Sequence, residues 1–188
     1  GGGTPFHDIT VGNNLVYQNA GAGISIFDDQ GPAWVVNNTT YADGLDPQIG
    51  HGYASELSAI VSTDVHWINN LAYGKHDGNR FRHSWTFNNT HSLIQFVHNI
   101  GYNGAPLQIG AFTKADVQDY SYANPKFLNP PPIPPGKTPW ASTLAPWLIG
   151  NAFSPPANGP TVGVGVNPSH VSGVVAALAS ALKGLGRG

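Results

Sequence analysis

An Asn followed three residues later by a Tyr occurs four times along the chain, at Asn14–Tyr17, Asn38–Tyr41, Asn70–Tyr73 and Asn99–Tyr102. Successive copies are 24, 32 and 29 residues apart, close to one supersecondary unit per copy. Each copy follows a short run that alternates apolar residues at period 2: Ile9-Thr-Val11, Ala33-Trp-Val35, Val65-His-Trp67 and Ile94-Gln-Phe96. The first three copies double the Asn, whereas the fourth reads His98-Asn99. A unit of 20–50 residues buries its apolar face only by stacking on its neighbours, so the pattern predicts a solenoid.

The alternating β-branched and aromatic runs identify the unit as β. A helical repeat needs apolar positions at i, i+3, i+4 and i+7, which no window before residue 165 supplies. The expected architecture is therefore all-β, a parallel β-helix in which short strands stack coil upon coil. Asn14, Asn38, Asn70 and Asn99 are expected at turns, where a residue adopts left-handed backbone geometry and its amide bonds up and down the stack. Tyr17, Tyr41, Tyr73 and Tyr102 form the matching stacked aromatic column. A second strand is expected after each Tyr, at Gly23–Phe27, Ser55–Ala59, Phe81–Trp85 and Pro106–Ile109. The segment between Tyr and that strand varies most in length, and solenoid insertions cluster on one face.

Composition narrows the partners. Only 10% of residues are charged and the net charge is −2, with no basic run, which argues against nucleic acid. No apolar stretch reaches the roughly 20 residues that span a bilayer. Cysteine is absent, so the redox compartment cannot be read from disulfides. The chain opens on Gly1-Gly-Gly-Thr-Pro5 and enters its repeat almost at once, which reads as a processed or truncated polypeptide without its signal peptide and earlier coils. Low charge and abundant Asn, Gly and Thr point to secretion. Asn37 and Asn88 are the candidate glycosylation sites among the Asn-x-Thr matches.

Three regions are expected: coils over residues 1–123, a Pro-rich segment over 124–166 packed on the solenoid, and a capping helix with its tail over 167–188. Of the 16 prolines, 12 fall between Pro125 and Pro168. The run from Pro130 to Pro135 is polyproline II, which joins no ladder. Asn167 as N-cap, Pro168 at the first position and an apolar run to Leu182 mark the helix.

The units Val11–Tyr17, Val35–Tyr41 and Trp67–Tyr73, with Asn124-Pro-Lys-Phe-Leu-Asn-Pro130 and the Ser154–Asn158 and Gly163–Asn167 stretches, resemble the right-handed parallel β-helix (pectate-lyase-like) superfamily in its C-terminal portion. The resemblance implies a secreted protein that acts on or binds polysaccharide, as a lyase or glycoside hydrolase, or a surface structural protein. The family's clustered catalytic Asp motifs are not found here, and fold alone licenses no chemistry.

Ionisable residues are few and gather after two adjacent tyrosines. Lys75, His76, Asp77, Arg80, Arg82 and His83 follow Tyr73, while Asp43, Asp46, His51 and Glu56 follow Tyr41. Such a groove can bind a sugar acid, hold Ca²⁺ through oxygen ligands or abstract a proton. In that reading Arg82, His83, His76 and Glu56 are the catalytic candidates. Arg80, Lys75 and Trp34 would bind substrate, and Asp43, Asp46 and Asp77 would ligate Ca²⁺. Trp34 lies in an outward column with Thr10, His66 and Gln95, where it would be a sugar platform or an aromatic packed beneath the Pro-rich tail. The competing expectation is a non-catalytic extracellular structural protein. Exposed coil ends would then stack into filaments, or pair with a missing N-terminal β-helix part.

Overall fold

A computed structural model describes residues 9–29, 31–46, 48–49, 54–75, 85–88, 94–104, 120–128, 130–132, 153 and 156–159. Among these residues there are twelve strands: β1 (Ile9–Gly12), β2 (Leu15–Tyr17), β3 (Ile24–Phe27), β4 (Ala33–Val36), β5 (Thr39–Tyr41), β6 (Leu57–Ile60), β7 (Val65–Ile68), β8 (Leu71–Tyr73), β9 (Trp85–Asn88), β10 (Ile94–Val97), β11 (Asn99–Tyr102) and β12 (Tyr120–Tyr122). They form three parallel sheets: sheet I in the order β1-β4-β7-β10, sheet II in the order β12-β11-β8-β5-β2, and sheet III in the order β3-β6-β9. From β1 to β11 the described strands visit I, II and III in rotation, and each circuit pairs with the next. This all-β arrangement is compatible with a β-helix-like fold. No α-helix occurs among the described residues; the helix expected over 167–188 lies outside them, as does the strand expected at Pro106–Ile109.

The register keeps the repeat in line. Val11 pairs with Val35, Val35 with Trp67, and Trp67 with Phe96. Tyr17 pairs with Tyr41, Tyr41 with Tyr73, and Tyr73 with Tyr102. Alternate residues face inward, so Ala33, Val35, Val65, Trp67 and Phe96 from sheet I meet Ile24, Ile26, Leu57, Ala59 and Trp85 from sheet III and Ala72 from sheet II in one core. Three strands per circuit, rather than the two expected, make that core. Leu15-Val-Tyr17, Thr39-Thr-Tyr41 and Leu71-Ala-Tyr73 are strands too short for a period-2 pattern to register, and the Asn–Tyr unit spans a turn and a strand together.

The corner between sheets I and II carries two columns of Asn. In the inner column each residue donates its backbone N–H and its Nδ2 to the next Oδ1: Asn14 to Asn38, Asn38 to Asn70 and Asn70 to Asn99, all at 2.9–3.0 Å. Nδ2 also bonds a strand carbonyl from the preceding circuit, as Asn70 does with Val35 at 2.8 Å. The left-handed geometry expected at these residues falls one position earlier, at Asn13, Asn37, Asn69 and His98, with φ of 56°, 55°, 55° and 50°. The doubled Asn thus divides the labour: the first turns the chain and the second satisfies the backbone.

Equivalent positive-φ residues close the other corners, Gln18, Ala42 and Asn103 after sheet II and Asp28 and Val61 after sheet III. On the outer face of sheet II, Tyr41, Tyr73, Tyr102 and Tyr122 stack with centroids 4.9–5.6 Å apart. Phe127 and Phe153 pack against this column, and the Tyr41 hydroxyl donates to the Pro131 carbonyl at 2.8 Å.

Candidate functional site

Two polar groupings stand out among the described residues. The first lies on the outer face of sheet I, where Thr10, Trp34, His66 and Gln95 are in register as their spacing implies. The indole of Trp34 and the imidazole of His66 stack face to face, with centroids 3.8 Å apart and planes 12° from parallel. His66 Nε2 lies 2.6 Å from Asp64 Oδ1. Asp64 precedes His66 by two residues, so both side chains leave the chain on the same side. The Trp34 Nε1 and His66 Nδ1 atoms are buried and have no hydrogen-bond partner. Trp34 is only 5% exposed and forms an outer apolar cluster with Val36 and Ile68. A sugar platform needs an open ring face, and here one face of Trp34 is given to His66.

The second grouping sits where the chain leaves sheet II. Asp43 Oδ1 accepts the Asn19 N–H at 2.8 Å and the Asn19 Nδ2 at 2.9 Å. Glu56 Oε1 accepts the Asp43 N–H at 2.9 Å. Asp43 Oδ2 and Glu56 Oε2 are both buried without a hydrogen-bond partner, and each carboxyl acts on the other's titration. Gly23 packs directly on the pair: a Cβ there would stand 2.5 Å from Asp43 Oδ2 and 2.7 Å from the Glu56 carbonyl oxygen. Burial pushes the Asp43 carboxyl up to about 6, against the lowering pull of the bonds from Asn19 and Glu56. Burial and then the Asp43 charge hold Glu56 well above the usual carboxylate range. Two carboxyls that act on each other in this way titrate as a pair.

The structure therefore brings Asp43 and Glu56 together and leaves neither open to a large ligand, since both are about 1% exposed. Asp46 stands apart in a local turn, its Oδ1 accepting the Gln48 N–H at 2.8 Å. Among the described residues no group of three or more His, Cys, Asp or Glu is gathered as a metal would require. Lys75 is buried. Asn37 is exposed, but its Nδ2, the atom a glycan would take, faces Asn13 Oδ1 at 3.4 Å, and its own Oδ1 accepts Asn69 Nδ2 at 3.1 Å. Asn88 closes β9. His76, Asp77, Arg80, Arg82 and His83 lie outside the described residues. Sequence reasoning passed over Asp64 and Gly23; the Asp-x-His spacing on one side of a strand was the available signal for the former.

No family model, no curated protein and no solved structure matches the chain. Among the described residues no helix is long and apolar enough to cross a membrane.

Proposed function

We propose that the protein is a secreted right-handed parallel β-helix with a structural role, whose first circuit is a platform for another copy. One observation carries this reading. Among the described residues, the strands of the first circuit, β1, β2 and β3, each stand at the edge of their sheet. An edge presents unpaired N–H and C=O groups, a template for a further parallel strand. Supporting it, Leu15 is 37% exposed, Ile9, Val11 and Val16 are only partly buried, and the Asn14 Oδ1 receives none of the bonds its counterparts receive. A second copy offers strands of the same register and length, so it matches this face better than an unrelated surface does. Light scattering over a concentration series tests the reading. Self-association that Leu15→Lys abolishes supports it; a monomer throughout the range overturns it.

A second reading, action on or binding of polysaccharide, draws on the Asp64–His66–Trp34 grouping on the outer face of sheet I. A panel of uronic-acid polymers, scored for binding and for unsaturated products, tests it with His66→Ala as control. Equal response from both proteins removes this grouping from consideration.

A further inference from the structure

We propose that the Asp43–Glu56 pair is a proton-held fastening between the first and second circuits, one that loosens when the shared proton leaves. Both partners are buried, Glu56 Oε1 accepts the Asp43 N–H at 2.9 Å, and the remaining oxygens, Asp43 Oδ2 and Glu56 Oε2, have no hydrogen-bond partner. Two acceptors in contact form a bond only with a hydrogen between them. The other two oxygens are committed, Asp43 Oδ1 to Asn19 and Glu56 Oε1 to the Asp43 N–H.

What the pair fastens follows from its neighbours. Asn19 and Gly23 belong to the first circuit, between β2 and β3, whereas Asp43 and Glu56 bracket the connection between β5 and β6 in the second. The same junction is stitched by the Gly44 N–H to the Gly21 carbonyl at 2.7 Å, Leu45 to Asn19 at 3.0 Å and Asp46 to Ala20 at 3.0 Å. On the far side, the Ile24 N–H bonds the Glu56 carbonyl at 3.0 Å. Gly23 seals the pair, because its missing Cβ is what lets the first circuit approach this closely. Gly44, at φ 66°, is packed on the Ala54 carbonyl, so the loop closes over the carboxyls with no room for a side chain there.

Removing the proton leaves negative charge in a space that holds no counter-charge among the groups seen to act on it. Tyr41, the nearest phenol, is itself pushed up to about 12, first by burial and then by Tyr73 and Glu56, so it stays neutral and worsens nothing by ionising. Other ionisable groups nearby in the chain are Asp46 in the same connection, Tyr73 beside Tyr41, and Lys75, which stands after Tyr73 as Asp43 stands after Tyr41. The sign follows directly. Both carboxyls hold their protons more tightly folded than unfolded, so their contribution is complete below the ordinary carboxylate range. It is lost as pH rises through about 6 for Asp43 and through the raised range of Glu56.

Hydrogen exchange of the Gly44, Leu45 and Asp46 amides, corrected for intrinsic chemistry, reads the fastening directly. From pH 5 to 8 their opening constant is expected to rise by up to about tenfold per pH unit. In Glu56→Gln the amide Nε2 donates to Asp43 Oδ2 and Oε1 still accepts the Asp43 N–H, so the rise disappears while the fold is kept. Asp43→Asn, in which Nδ2 donates to Glu56, serves should the first variant not fold. His51→Gln, from the same connection, retains the rise, which separates the pair from a titrating imidazole. Opening constants that stay flat in the wild type, or a rise that persists unchanged in either carboxamide variant, overturn the proposal.

Discussion

The corner between sheets I and II and the corner between sheets II and III solve one problem in two ways. At the first, two residues suffice in each of the first three circuits, and those residues are always Asn-Asn. At the second, the connection runs over residues 18–23, 42–56 and 74–84, with no shared sequence. The first corner is a continuous hydrogen-bonded row that tolerates no insertion, because a displaced amide would leave backbone groups of two circuits unsatisfied. The second keeps only a remnant of such a row, Asn19 to Asp43, and substitutes a carboxyl pair for its continuation. Register is set at one corner. The spacing that varies most from circuit to circuit is the one between sheets II and III.

The sharpest way to break this contrast is Asn70→Ala. It deprives the Asn38 N–H and Nδ2 of their acceptor, takes from Asn99 Oδ1 one of its two donors, and removes the side-chain donor to the Val35 carbonyl. A loss of roughly 3–5 kcal/mol in urea unfolding is expected, against under about 1 kcal/mol for Asn14→Ala at the exposed end of the row. Equal costs would show that the row does not act as a unit. Next comes Gly23→Ala at the second corner, expected to cost about 1–3 kcal/mol by pushing the first circuit off the carboxyl pair. Should it prove neutral, the close approach there is not required.

Smaller effects separate turning from bonding within the first corner. Asn69→Ala is expected to cost about 1 kcal/mol in thermal melting because alanine tolerates φ 55° less well than asparagine and the exposed amide contact to Asn37 is lost. Asn69→Gly stays within a few tenths, since glycine meets the geometry freely. At the third corner Val61, β-branched and 43% exposed, holds φ at 52°, so Val61→Asn is expected to raise stability by about 1 kcal/mol. A lower melting temperature in that variant would contradict the assignment of backbone strain there.

Much of this was legible because Asn and Tyr have few reasons to recur in step. Register along Val11, Val35, Trp67 and Phe96 followed from period 2 alone, and so did the shared column of Thr10, Trp34, His66 and Gln95. The middle strand of each circuit was not legible, since three residues carry too little pattern and Thr40 or Ala72 reads as neither core nor surface. β9 is described over Trp85–Asn88, which includes the last residue of the strand expected at Phe81–Trp85; the other four residues of that expectation lie outside the described ones. At the candidate sites the chemistry was visible and the burial was not. Asp43 and Glu56 were named as separate ligands and acids, yet only the fold, through Gly23 and Asn19, turns them inward upon one another. Trp34 likewise carried no sign in the sequence that its ring would lie on His66.

The row of amides has a direction. Every member gives hydrogens toward the later circuit and takes them from the earlier one, so its two extremities are chemically unlike, oxygen at the Asn14 extremity and hydrogen at the other. Two copies brought together by a twofold axis through their first circuits would set carbonyl against carbonyl. Any stacking of this molecule upon itself is consequently vectorial, open-ended rather than closed in pairs, and its two growing tips would add subunits at different rates.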